Sequence, residues 1–121
     1  MKIDNINTLA MAYLGDAVFE LYIREYLLRK NIVKVNELQK EAIKYVSANN
    51  QVRLLDKINE FLTLEELEIV KKGRNAKSHK APKNTDILTY KHATGFETLI
   101  GYLYLNNKQR LDEIINKILE D

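Results

Sequence analysis

One proline (Pro82) and four glycines (Gly15, Gly73, Gly95 and Gly101) are all that punctuate a chain of 121 residues. These two residue types are the strongest local breakers of regular backbone, so their scarcity favours a few long helices over many short strands. The apolar residues agree. Leu9, Tyr13, Val18, Leu21, Tyr22 and Leu28 recur at helical intervals. No segment shows the clean period-two alternation of a half-buried strand. An all-α fold follows, and the length suits one domain spanning residues 1–121.

Cap signals place the helices. The first is expected from Asn5 or Asn7, both good N-cap types, to about Lys30, with Asn31 as its stop. A second helical region runs from about Val35 to Phe61, with a break near Ser47 to Asn50. Thr63-Leu64-Glu65-Glu66 reads as a capping box opening a helix that ends at about Lys72, where Gly73 stops or loosens it. Residues from Asn75 to Asn84 read as a loop. A further helix is expected from Thr85 or Asp86 to about Leu105, with Leu88, Phe96, Leu99, Ile100 and Leu103 as its apolar face. The last starts near Gln109 and carries the stripe Leu111, Ile114, Ile115, Ile118 and Leu119.

Composition removes several classes of function. The chain has no cysteine, which excludes disulfide scaffolds, thiolate zinc sites and a cysteine nucleophile. Met1 to Asn7 lacks the apolar core of a secretory signal. The stretch Leu9 to Leu28 is interrupted by Asp16, Glu20, Arg24 and Glu25, too many charges for a membrane span. A cytoplasmic protein is the expectation. The net charge is only +2, but it is unevenly placed. Lys71, Lys72, Arg74, Lys77, Lys80 and Lys83 fall in one window free of acidic residues, giving it +6. The other 13 basic residues face all 17 acidic ones, leaving the rest at −4. Such a concentration suits an anionic partner, above all nucleic acid, although a solvated loop would have the same composition.

Two carboxylates stand out. Asp16 follows Gly15 inside an apolar helix, and Glu97 sits in the small and apolar run Thr94 to Leu105. Burying an isolated carboxylate is costly, so each is expected to be bonded, paired or metal-bound. The competing reading makes Asp16 an ordinary exposed acid beside Glu20 and gives Glu97 a lysine or a turn to cap. If the two helices cross, their carboxylates would build an oxygen-donor site suited to Mg²⁺ or Mn²⁺ rather than zinc. His79 and His92 are 13 residues apart and form no metal-ligand signature.

These stretches resemble a known family. Leu14-Gly15-Asp16-Ala17-Val18 is similar to the signature helix of the ribonuclease III catalytic domain. Phe96-Glu97-Thr98-Leu99-Ile100-Gly101, followed by Tyr104-Leu105, resembles that domain's second acidic motif. Leu9 to Glu20, Lys44 to Ala48, Gly73 to Ser78 and Pro82 to Asp86 look like the short Mini-III subfamily, and the resemblance covers nearly the whole chain.

The resemblance implies an all-α ribonuclease III endonuclease fold and a homodimer. It also implies Mg²⁺-dependent hydrolysis of double-stranded RNA, with Mn²⁺ as a substitute, and maturation of the ends of 23S ribosomal RNA precursor. A ribosomal protein is a further expected partner, no membrane is expected, and no separate RNA-binding domain is expected to follow. Asp16 and Glu97 match the family's catalytic, metal-binding carboxylates, with Glu20 as an additional candidate ligand. Two more family carboxylates would fall at Ala12 and Thr94 and are absent. Lys71, Lys72, Arg74, Lys77, Lys80 and Lys83 would grip RNA phosphates. The rival readings are a non-catalytic binder of double-stranded RNA on the same fold and a helical protein-interaction module.

Overall fold

Short polar side chains set most of the helix starts. A computed structural model of the chain describes residues 7–76 and 86–120. Asn7 caps α1 (Thr8–Arg29) by accepting from the backbone N–H groups of Leu9 and Ala10. After Asn31, which takes the left-handed conformation (φ 65°), the chain enters α2 (Val35–Val46). Ser47 ends α2 and caps α3 (Ala48–Ile58), and a 3-10 turn (Asn59–Phe61) follows. Thr63 and Glu66 form the expected capping box of α4 (Leu64–Asn75). Asp86 caps α5 (Ile87–Asn106), and Asn107 caps α6 (Lys108–Leu119). Each cap satisfies a backbone donor that a helix start leaves without an internal partner. No strand occurs among the described residues.

Helix α5 is the centre of the packing. It buries Ala93 to Phe96, Thr98 to Gly101 and Leu103, and it packs on α1, α3, α4 and α6. The core joins Phe19, Ile23 and Leu27 of α1 to Leu54 and Ile58 of α3, with Leu111, Ile114 and Ile118 closing it from α6. Phe19 meets Phe96 edge to face, with ring centroids 4.9 Å apart. Burial of each large apolar side chain contributes roughly 1.5–3 kcal/mol.

One ion pair ties the outer elements together. Arg110 on α6 donates to both carboxylate oxygens of Glu66, each at 2.8 Å, and to the carbonyl of Phe61 at 2.8 Å. Its guanidinium also covers the Phe61 ring, 4.4 Å from the centroid. The hydrogen bonds from Arg110 hold the Glu66 carboxyl below its ordinary pKa.

Two expectations are corrected. Gly73 does not end α4; it lies buried inside the helix. A Cβ there would come within 2.8 Å of the Gly95 Cα, so the bare position lets α4 cross α5 closely. The apolar faces also need revision. Tyr13, Leu21, Leu28 and Leu88 are 85%, 63%, 54% and 58% exposed. Helical periodicity identifies a face, but the packing of the other helices decides which face is covered. The loop from Asn75 to Asn84 lies largely outside the described residues, and so do Lys77, His79, Lys80 and Lys83.

Candidate active site

A close helix crossing brings the two carboxylates together. Gly15 on α1 packs directly against the backbone of Glu97, and a Cβ there would also lie 2.8 Å from the Gly101 nitrogen. Gly101 in turn packs on the carbonyl of Met11, where its own Cβ would lie 3.1 Å from the Gly15 nitrogen. Two glycines therefore let α1 and α5 touch backbone to backbone. Asp16 is next to one of them and Glu97 faces it, so their carboxyl groups come within hydrogen-bonding reach of each other.

The pair is set in a gradient of burial. Asp16 is exposed, Glu97 is half-buried, and Gln51 of α3 is almost fully buried at 2% exposure. The Gln51 amide donates from Nε2 to Glu97 Oε2 at 3.4 Å. Burial, followed by the bond to Asp16 and its charge, pushes the Glu97 carboxyl up to about 8. The bond from Gln51 acts in the opposite direction. Two carboxyl groups this close resist ionising together, and a proton or a cation relieves them.

The donors suit a hard cation. They are oxygen atoms, without sulfur or imidazole, and such sets favour Mg²⁺ or Mn²⁺. No group of three or more His, Asp or Glu side chains converges among the described residues. Asp16 and Glu97 would offer a cation two carboxylates. The two positions without carboxylates are filled compactly. Ala12 is buried, and the buried Thr94 donates its hydroxyl to the Tyr90 carbonyl at 2.9 Å.

Glu20 pairs with Arg24 at 3.1 Å and forms no group of three with Asp16 and Glu97. It lines a cavity of about 530 Å³ between α1 and α2, along with Arg24, Leu28, Val35 and Ile43. Neither Asp16 nor Glu97 reaches that cavity. Lys71 and Lys72 are exposed and Arg74 is half-buried, all on the last turns of α4. Gly73 anchors this basic end against Gly95 and Thr98, the residue beside Glu97. The α1 contacts at 97 and 101 and the α4 contacts at 95 and 98 lie roughly 100° apart around α5. One short stretch of α5 thus fixes both the acidic pair and the cationic end of α4. His92 is half-buried on α5 and makes no metal group.

Sequence reasoning missed Gln51. The signal was present: Gln51, Leu54, Leu55 and Ile58 form the buried stripe of α3, and a polar residue begins it. A polar side chain on a core-facing stripe needs a partner, and the partner is Glu97.

The chain matches the Ribonuclease III domain family over residues 9–108. It is 51% identical over 114 residues to the Mini-ribonuclease 3 of Enterococcus faecalis, covering 92% of this chain and 86% of that protein. It is 49% identical over 112 residues to the Mini-ribonuclease 3 of Brevibacillus brevis, covering 92% and 84%. A crystal structure of a Fusobacterium nucleatum protein aligns over 100% of both chains, with a TM-score of 0.87 and 31% identity.

Proposed function

The chain belongs to the ribonuclease III family, among relatives named Mini-ribonuclease 3, and on that premise we propose that this endoribonuclease cuts double-stranded RNA at a divalent-cation site held by Asp16 and Glu97. The observation that carries this reading is the crossing at Gly15, which joins the two carboxylates at the edge of the core. Bound there, Mg²⁺ or Mn²⁺ supplies Lewis acidity toward the scissile phosphate.

The residues divide the remaining work. Asp16 faces solvent, where RNA arrives. Glu97 is fixed by the crossing and by Gln51, so its carboxylate is held in place before substrate binds. Lys71, Lys72 and Arg74 hold phosphates beside the site, with Lys77, Lys80 and Lys83 continuing the basic run. Contacts of this type read the shape and backbone of an A-form duplex more than its sequence.

The homodimer is part of the proposal. Tyr13, Leu21 and Leu28 are exposed apolar residues at helical spacing along α1, and they support a second copy packing there. Two sites across one duplex would each cut one strand. The proposed substrate is the 23S ribosomal RNA precursor, with a ribosomal protein assisting and the cytoplasm as the setting. No described helix is long and apolar enough to cross a membrane.

The test is incubation of labelled duplex and single-stranded RNA with and without Mg²⁺, with the ends mapped. Cleavage of the duplex alone, only with the cation, is the expected result. Equal cleavage of single strands, or cleavage in a chelator, would defeat the reading.

A further inference from the structure

Helix α3 contributes one polar side chain to an apolar interface. Ser47 caps that helix and fixes its first turn, and the Gln51 N–H donates to the Ser47 carbonyl at 2.8 Å. Gln51 therefore starts the face that carries Leu54, Leu55 and Ile58 into the core. An apolar residue would serve packing alone. A buried amide is tolerated where its polar atoms find partners, and no buried side-chain nitrogen or oxygen among the described residues lacks one.

The partner is Glu97, 46 positions away in the chain. Glu97 Oε2 accepts from the Nε2 side of the amide. With Gln51 on Oε2, the Glu97 carboxyl is restrained from turning about its last bond. It is held beside Asp16 by the crossing below and by the amide behind. The amide also solvates the carboxylate without adding charge. That matters in a site with two carboxylates, since positions 12 and 94 offer none.

We propose that Gln51 is a positioning residue for the cation site, holding Glu97 as an oriented carboxylate in place of the further acids at Ala12 and Thr94. The proposal rests on the reading of Asp16 and Glu97 as cation ligands. Groups that orient ligands in this way change metal affinity or activity by roughly 10–100-fold when removed.

The test uses the whole chain and Mn²⁺ alone as the first probe. Gln51→Met keeps a similar volume and removes the amide. Mn²⁺ affinity of the RNA-free variant, followed by electron paramagnetic resonance, should fall roughly 10–100-fold. The Mg²⁺ concentration giving half-maximal duplex cleavage should rise by a similar factor. Affinity for duplex RNA without divalent ions should not change. If the methionine variant keeps the wild-type Mn²⁺ affinity and Mg²⁺ requirement, Gln51 only fills space and the proposal is overturned. If that variant does not fold, side-chain amide signals of the unaltered protein decide. Mn²⁺ should broaden the Gln51 amide along with the backbone signals of Asp16 and Glu97, and an unbroadened Gln51 amide overturns the proposal. A wild-type chain that binds no Mn²⁺ at Asp16 and Glu97 defeats the cation reading itself, an outcome separate from a wild type that binds and a variant that binds equally.

Discussion

The backbone of Glu97 occupies the space that a side chain at Gly15 would need. This contact joins the signature helix to the central helix, and it sets Asp16 beside Glu97. Alanine is ordinarily the better helix residue by about 0.8–1 kcal/mol. Here the added methyl meets backbone, which cannot rotate aside. Overpacking of that kind costs about 1–3 kcal/mol or more, so the clash outweighs the propensity gain. Gly15→Ala should therefore lower stability by a net 1 kcal/mol or more, and it should weaken Mn²⁺ binding because the helices move apart. Denaturant melts check the first effect. A variant as stable as the parent would show that the crossing can relax.

Asp16→Asn keeps the shape of the side chain and removes its charge. The residue is exposed, so folding should be unaffected within about 0.5 kcal/mol. Duplex cleavage in Mg²⁺ should fall by more than a hundredfold, corresponding to about 3 kcal/mol or more of lost transition-state stabilisation. Gel assays of labelled duplex measure the rate, and filter binding without divalent ions should show RNA affinity retained. Cleavage at the parental rate would remove Asp16 from the chemistry.

The helix starts at Asn7, at Thr63 with Glu66 and at Asp86 were legible because caps are local, each acting within a few residues of its own position. Ser47 was legible only as a break, although it also caps α3. Gly73 was misread because its use is tertiary: propensity marks it as a stop, yet close packing on Gly95 and Thr98 needs the absent side chain. Tyr13, Leu21 and Leu28 have the spacing of a core face, and spacing does not distinguish a face covered by the same chain from one left open. Asp16 and Glu97 were found as separate oddities, each an acid in an apolar helix. Their meeting depends on which helices cross. Gln51 was hardest to find, since a single polar residue on a short apolar stripe is a faint signal and its partner lies on another helix.

Two glutamates bend the pH dependence of stability in opposite directions. Glu66 is held below its ordinary value of 4.5, first by its bonds from Arg110. Its contribution is present above about pH 4.5 and is lost as pH falls through the lower folded value. Glu97 is raised from 4.5 to about 8, first by burial and then by Asp16. Its contribution is fully present below pH 4.5 and is lost as pH rises toward and through about 8. In the absence of divalent ions, stability should fall on both sides of a mildly acidic optimum. Glu97→Gln should flatten the alkaline limb and leave the acid limb in place. Glu66→Gln should lower stability by roughly 1.5–3 kcal/mol, because Arg110 loses its two charge-assisted bonds to Glu66 and keeps only the more exposed Glu113 as a charge partner. Thermal melts from pH 3 to 9 in a chelator separate the two. An alkaline limb unchanged in Glu97→Gln would show that Glu97 is not its source.

The basic end of α4 is tested through salt. Lys72 is exposed and Arg74 half-buried, and both lie beside the Gly73 contact that fixes this end of the helix to α5. If both neutralise phosphates, replacing them with alanine should weaken duplex binding. It should also reduce the slope of log affinity against log salt by roughly one per residue removed. The loss should be similar for duplexes of unrelated sequence, because phosphate contacts carry no base information. Binding titrations between 50 and 200 mM salt measure the slope, within the range where counterion release dominates. Weaker binding with an unchanged slope would mean that the substitutions disturb the protein's shape rather than remove phosphate contacts. An unchanged affinity would assign the grip to other cations, and the segment holding Lys77, Lys80 and Lys83 would be the next to alter.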